Sequence, residues 1–243
     1  MLQQYVYCKI IPNNTCFTTI ATALVIEGEE ILKKSWKILI VLLLVLVIGG
    51  SVLDFVLSAT DDKTTVNWEA YAIFIAVVIA VALARILTVR SKITKLFSAY
   101  QNKNYDKVIE MQSTANIIGL RQVQQETIWL VVAVSYLELG NTQEFYKIIG
   151  KVNSDILQNR KILWQAICCF SQNDSEGFFL WQQALQNNPN ETDKQKALGV
   201  LDVLVKAKNR QPLNEEEKNL INALHSALIT TLVERASNGD FNV

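Results

Sequence analysis

Two long runs of apolar residues stand close together in the first third of the chain. They cover residues 38–57 and residues 70–89. As helices, runs of this length reach about 30 Å, the thickness of the hydrocarbon core of a bilayer. Each run contains one charged residue, Asp54 or Arg85, placed near its end. The pattern predicts a transmembrane helical hairpin over residues 32–90.

Charged residues beside the runs predict an orientation. The connection between the runs carries only Lys63 as a positive charge. The other flanks carry Lys33, Lys34, Lys37, Arg85, Arg90, Lys92 and Lys95. Because basic residues stay on the inner side, we expect a protein of the cell membrane with two spans and cytoplasmic N- and C-termini, and the lipid bilayer as one partner. Two alternatives stay open, namely two buried helices of a soluble core and a signal peptide in the first run.

A stripe of small residues lies within the second run. Its members recur every four residues, so a helix places them on one face. They are Ala72, Ala76, Ala80 and Ala84. Such a face lets another helix approach closely. The stripe predicts packing against the first run, or against a second copy of the chain in a homo-oligomer.

The first 31 residues show no sustained hydrophobic period, and we expect them to be poorly structured or not translated. Codons for Glu27, Gly28 and Glu29 can form a purine-rich tract that resembles a bacterial ribosome-binding site. Leu32 could then be encoded by a TTG start codon. Such a segment is best excluded from reasoning about the fold.

Residues 91–243 have a different pattern, in which helical apolar segments alternate with short polar breaks. Aromatic residues end three of these segments at intervals of 36 and 34 residues, at Tyr100, Tyr136 and Phe170. A second amphipathic segment follows each break. A period near 34 residues with two helices per unit predicts a helical solenoid.

The middle unit resembles a tetratricopeptide repeat. Its matching residues are Trp129, Val132, Ala133, Tyr136 and Gly140. The resemblance covers roughly residues 91–190, and it departs from the family where Phe145 and Phe178 replace a small residue. The predicted fold is therefore all-α, with a transmembrane hairpin followed by a soluble, tetratricopeptide-like solenoid in the cytoplasm over residues 91–243.

The resemblance also implies a groove for a peptide or helix of an unknown protein partner. In the family register this partner groove would be lined by Thr127, Leu130, Val134, Lys161 and Trp164. Seven aromatic residues are expected to fill the spaces between helices, Trp164 of the groove set among them, namely Trp129, Tyr136, Phe145, Trp164, Phe170, Phe179 and Trp181.

Two further helices are predicted after Pro189. One lies within Glu191–Asn209, and the next begins at Asn214, whose side chain and following glutamates form a favourable first turn. An apolar stripe from Leu220 to Leu232 predicts that this second helix continues without a break, with His225 in its middle, and closes the solenoid before a frayed tail after Ala236.

Composition limits the function classes. Residues 91–243 hold 16 Lys or Arg and 16 Asp or Glu, which disfavours nucleic-acid binding. His225 is the only histidine, so one chain cannot form a His-based triad or a multi-His metal site. We therefore predict no catalytic, cofactor-binding or metal-binding residues, no cofactor, and no enzyme activity. The predicted function is a membrane-anchored interaction or scaffold module. The alternative is an accessory subunit of a larger membrane complex, assembled through the hairpin.

Overall fold

A computed structural model describes residues 68–238, which form helices and turns without a strand. They divide into two compact units between Lys92 and Ile93, and each is described by itself. The helices are α1 (Trp68–Gln101), α2 (Tyr105–Glu110), α3 (Gln122–Glu138), α4 (Thr142–Ile149), α5 (Asp155–Ser171), α6 (Ser175–Asn187), α7 (Lys194–Lys208), α8 (Glu215–Asn222) and α9 (Ala227–Asn238). A 3₁₀ turn, Gln112–Asn116, separates α2 from α3.

The predicted transmembrane hairpin is wrong. No helix in the described part of the chain is long and apolar enough to cross a membrane. The second apolar run, residues 70–89, is part of α1, which carries Arg85 inside the run and continues past it through Arg90, Lys92 and Lys95. The first run, residues 38–57, lies outside the described residues.

Because the hairpin prediction fails, the predicted location in the cell membrane, with two spans and cytoplasmic termini, is wrong as well. The four alanines of the stripe, Ala72, Ala76, Ala80 and Ala84, are exposed along α1. Their predicted packing partner, residues 38–57, is not among the described residues. The account of residues 1–31 also concerns a segment outside the described range.

The unit that begins at Ile93 is built from pairs of neighbouring helices. α3 packs against α4, and α5 packs against α6. The first helices of successive pairs also contact one another, α3 with α5 and α5 with α7. The prediction of an all-helical domain is confirmed for these residues. Its membership of the tetratricopeptide family stays a prediction.

The same turn joins the two helices of each of four pairs. One residue in each turn has a left-handed backbone: Lys103, Gly140, Asn173 and Arg210, with φ between +56° and +77°. The next residue donates its N–H to the carbonyl five residues back, from Asn104 to Ala99, Asn141 to Tyr136, Asp174 to Cys169, and Gln211 to Lys206, each at 2.9 Å. This hydrogen bond is the signature of a Schellman motif. The chain thus repeats one helix–turn–helix unit every 33 or 37 residues.

Three of these turns also start the next helix with a side-chain cap. Asn104, Asn141 and Asp174 each accept a hydrogen bond from the backbone N–H three residues later. The cap satisfies one of the donors left free at a helix start and typically contributes about 1 kcal/mol. Each unit therefore carries its own stop and start signals.

Large side chains fill the space between the paired helices. Phe145, Trp164 and Phe170 are buried as predicted, with 0%, 2% and 6% of their surface exposed. Trp129, Tyr136 and Trp181 are half-buried. Phe179 is 56% exposed, so its predicted place in the core is wrong. It lies on α6 beside the buried Phe178, whose ring packs against Phe170 at 5.3 Å between centroids.

The last predicted helix is two helices in the structure. Asn214 caps α8 as expected, accepting from Glu217 N at 2.8 Å in a reciprocal capping box. α8 then ends at Asn222, and His225 has a left-handed backbone with φ of +51°. α9 starts afresh at Ala227. The apolar stripe from Leu220 to Leu232 predicted one continuous helix and gave no indication of this break.

Candidate functional site

The residues predicted to line a partner groove lie inside the helical packing. Four of the five are at most 4% exposed, namely Thr127, Leu130, Val134 and Trp164. Lys161 is half-buried, and its Nζ donates a hydrogen bond to the carbonyl of Val152 at 2.7 Å. In this conformation, these side chains do not offer an open surface to a partner.

Helix α8 covers part of this region. A small apolar cavity separates it from α5 and α7, which shows where the three helices face one another. The cavity is lined in part by Leu163 and Trp164 of α5, Ala197 and Val200 of α7, and Leu220 and Leu224 at or just beyond α8. We call these four residues of α5 and α7, together with Glu138 at the end of α3, the receptor face.

Glu138 holds the start of α9. Its Oε2 accepts a hydrogen bond from Leu228 N at 2.8 Å, and its Oε1 accepts a short one from Ser226 Oγ. Ser226 Oγ in turn accepts from Ile229 N at 3.0 Å, which makes Ser226 the N-cap of α9. Nearby, the backbone N–H of Ala227 donates to the hydroxyl of Tyr105 at 3.4 Å. The first turn of α9 is thus fixed by groups from α2 and α3.

The surroundings of Glu138 have opposing effects on the pKa of its carboxyl group. Burial raises the pKa of this carboxyl above its ordinary value, although hydrogen bonds from Ser226, Leu228 and Tyr105 and the charge of Lys103 oppose the rise. Burial and the nearby Glu138 also raise the pKa of the Tyr105 hydroxyl, which keeps it protonated. A negative charge here also faces the positive end of the α9 dipole, which favours the seated helix.

A second glutamate, at the other end of α3, also accepts hydrogen bonds from the start of another helix. Glu126 Oε2 accepts from the backbone N–H groups of Asn153 at 2.9 Å and Ser154 at 2.6 Å, directly before α5. Its Oε1 accepts from Gln122 Nε2 at 2.7 Å. Burial acts to raise the pKa of Glu126, but a hydrogen bond from the Ser154 side chain, together with the contacts above, outweighs burial and holds the pKa below its ordinary value. α3 therefore presents an acceptor to the start of two other helices.

A buried asparagine orders the connection between α6 and α7. Asn159 is fully buried, and its Nδ2 donates to the carbonyls of Asn190 at 2.6 Å and Thr192 at 2.8 Å. Its Oδ1 accepts from Asn188 Nδ2 at 2.9 Å. The adjacent Arg160 donates through Nε to Asp193 Oδ2 at 2.7 Å. These contacts position the start of α7, which forms one wall of the receptor face.

The two cysteines of α5 lie in environments that suit packing better than reactivity. Burial raises the pKa of the Cys168 and Cys169 thiols, which disfavours the reactive thiolate. Cys169 Sγ lies 3.8 Å from the hydroxyl of Tyr146. Between residues 68 and 238, no three His, Cys, Asp or Glu side chains are grouped so that they could hold a metal ion.

Sequence reasoning missed Glu138, which organises this site. It lies between Leu137 and Leu139 at the end of a helix, and its partners are 88 and 90 residues away. A usable signal was present in Ser226, since a serine three residues before an apolar position is a typical helix start. No protein-family model matches the chain, and neither the curated proteins nor the solved structures contain a match to it.

Proposed function

We propose that the unit of helix pairs is a non-catalytic protein-interaction module whose receptor face takes an amphipathic helix of a partner protein. The observation that carries the proposal is that two helices of the chain itself already cover its two parts: α8 borders the apolar cavity of α5 and α7, and α9 packs against α7 and is anchored by Glu138. Apolar side chains that cover amphipathic helices, with a polar anchor beside them, are features of helix-binding surfaces.

The shape of the occupant supports this choice of partner. α9 buries Ile229, Leu232 and Ala236, each at most 1% exposed, at helical spacing along one side. Thr231 and Glu234 lie on its exposed side. Full burial of a leucine or isoleucine side chain contributes about 1.5–3 kcal/mol. Apolar contact with α7 thus contributes most of the free energy that holds α9, and the hydrogen bonds to Glu138 fix the position of its first turn.

The repeated turn architecture supports the same role. Arrays of paired helices commonly serve as extended binding surfaces, because each pair contributes one wall. Residues 91–243 have no net charge, so the domain as a whole exerts no net attraction on an anionic ligand. An amphipathic helix with few charges on its buried side fits this surface better.

The test compares two full-length variants as bait in an extract of the native cells. Leu232→Lys places a charge on the buried side of α9 and should loosen it, whereas Thr231→Lys places the same charge on the exposed side. We expect Leu232→Lys to retain a protein that Thr231→Lys does not retain. A synthetic peptide of residues 226–238 should displace that protein. Failure of Leu232→Lys to retain anything beyond the control, or retention that ignores the peptide, would refute the proposal.

A further inference from the structure

We infer that the chain can pair with a second copy of itself by exchanging α9, with His225 as the hinge and Glu138 as the residue that favours the unexchanged chain. In the exchanged dimer, α8 and α9 of each copy form one straight helix, and each α9 packs on the other copy. The exchange goes beyond the proposed function, because it requires no other protein.

The break between α8 and α9 is short and contains a strained residue. It consists of Ala223–Ser226, and Ala223 still has helical backbone angles, with φ of −64° and ψ of −19°. His225 has a left-handed backbone with φ of +51°. This region is unfavourable for residues other than glycine, because the Cβ approaches the following carbonyl oxygen. A return of His225 to the helical region would therefore relieve strain at the point where the helix is interrupted.

The turn at His225 differs from the four Schellman turns of the domain. Each of those turns is closed by an N–H that donates to the carbonyl five residues back. In the described part of the chain, the N–H of Ser226 makes no such bond. The backbone bonds of this turn span three residues instead, as from His225 N to the Asn222 carbonyl at 3.2 Å. The backbone thus holds this bend less firmly than it holds the other four.

The sequence on both sides of the hinge suits a single helix. Residues 213–238 contain neither glycine nor proline. Their apolar residues keep a helical spacing through the break, at Leu220, Ile221, Leu224, Leu228 and Leu232. A continuous helix over residues 215–238 would be about 36 Å long. The straight form is therefore compatible with the same amino acids that form α8 and α9.

The direction of α8 decides where a straight helix would lead. Glu217, near the start of α8, pairs with Lys206 near the end of α7. Leu224, just beyond α8, lines the same cavity as Ala197 near the start of α7. The two helices therefore run antiparallel, and a straight continuation of α8 would pass beyond the start of α7. α9 would then leave its place on α7 of its own chain, and the same helix of a second copy can take that place.

Exchange keeps the apolar contacts of α9 and loses one of its hydrogen bonds. A second copy presents the same buried side chains, Ile229, Leu232 and Ala236. The Leu228 N–H now donates to Glu138, but in a continuous helix it donates to the carbonyl four residues back. The bond to Glu138 therefore favours the unexchanged chain. Because the exchange is reciprocal, it closes at two copies.

The experiment measures the dissociation constant of the dimer for full-length variants by sedimentation velocity. His225→Ala disfavours the left-handed bend and favours a helix. It should lower the dissociation constant about 10-fold relative to the parent, since two hinges change in each dimer. His225→Gly adopts the left-handed backbone freely and weakens a helix, so it should associate less than the parent.

Two controls assign the effect to the exchange of α9. Arg210→Ala also replaces a left-handed residue, but Pro212 prevents a straight helix there, so the dissociation constant should not change. Adding Leu232→Lys to His225→Ala places a charge in the exchanged contact and should return the variant to the monomer. Adding Thr231→Lys, on the exposed side of α9, should leave the dimer intact.

Three results would overturn the inference. Equal association of His225→Ala and His225→Gly would overturn the role of the hinge, and a dimer of His225→Ala that survives Leu232→Lys would overturn the exchange of α9. Glu138→Ala removes an acceptor that the unexchanged chain uses, so it should also lower the dissociation constant, and it replaces His225→Ala if that variant precipitates. An unchanged dissociation constant in Glu138→Ala would overturn the role of Glu138.

Discussion

The backbone N–H of Leu228 donates to the Glu138 carboxylate at 2.8 Å and thereby joins the end of α3 to the start of α9, 90 residues later in the chain. The Ser226 hydroxyl binds the other oxygen of the same carboxylate. One side chain thus caps a helix of a distant unit. We therefore expect the stability of the domain to depend on it.

Removal of the Glu138 carboxylate should destabilise the fold. Glu138→Ala leaves the Leu228 N–H and the Ser226 hydroxyl without their acceptor, and we expect the free energy of unfolding to fall by about 1–3 kcal/mol. Urea denaturation followed by circular dichroism measures the change. Glu234→Ala, on the exposed side of α9, is the matched control and should stay within about 0.5 kcal/mol of the parent. Equal effects of the two substitutions would contradict the capping role.

The two glutamates of α3 should give pH dependences of opposite sign. The pKa of Glu138 is raised above 4.5 in the fold, so the parent should gain stability over Glu138→Gln as pH falls from that raised value towards 4.5. The pKa of Glu126 is lowered, so the parent should lose stability relative to Glu126→Gln as pH falls from 4.5 through that lower value. Urea titrations at a series of pH values measure both differences. The same sign for both would contradict the assigned environments.

Two glycines should respond in opposite ways to alanine. A Cβ at Gly177 would lie 2.2 Å from Asp174 Oδ2 and 2.9 Å from Cys169 Sγ, so Gly177→Ala should displace the capping aspartate and destabilise by about 1–3 kcal/mol. A Cβ at Gly150 meets its nearest atoms at 3.5 Å and 3.6 Å, which is ordinary contact. Gly150→Ala should therefore be neutral or raise stability by about 0.4–1 kcal/mol. Thermal unfolding distinguishes the two results, and a stabilising Gly177→Ala would refute the packing described.

Loss of the Asn159 side chain should release the connection between α6 and α7. Asn159→Ala leaves the carbonyls of Asn190 and Thr192 without their donor in a buried setting, and we expect about 2–4 kcal/mol of destabilisation. Gln158→Ala, at the neighbouring half-buried position, is the control and should cost less than about 1 kcal/mol. Chemical denaturation measures both. A mild Asn159→Ala would show that the connection is held by other contacts.

Sequence periodicity predicted the helix pairs because each pair carries local signals. Asn104, Asn141 and Asp174 are recognisable helix starts, and Gly140 is a recognisable turn residue. The fourth turn, at Arg210, was not recognised as part of the repeat. The first three units carry an aromatic residue near the end of the helix before the turn, and α7 carries none. The sequence pattern predicted a helix start or turn correctly where the hydrogen bond that stabilises it joins residues close together in the chain.

Contacts between distant segments could not be predicted in this way. The apolar positions Leu224, Leu228 and Leu232 are compatible with one continuous helix, whereas the new start at Ala227 follows from the Ser226 cap and from the distant Glu138 carboxylate that accepts the Ser226 hydroxyl. The predicted span over residues 70–89 was wrong, because no helix in the described part of the chain is long and apolar enough to cross a membrane. Phe179, expected in the core, lies on the exposed side of α6.

Native-state hydrogen exchange of the full-length protein tests the central claim, the exchangeable seating of α9, most directly. If α9 occupies the place of a partner helix, its backbone amides should exchange through local opening, with protection at least about 10-fold lower than the most protected amides of α3 and α5. The Thr231→Lys variant should retain that protection, and Leu232→Lys should lose it in α9 alone. Equal protection of α9, α3 and α5, reporting a single global unfolding event, would contradict the account.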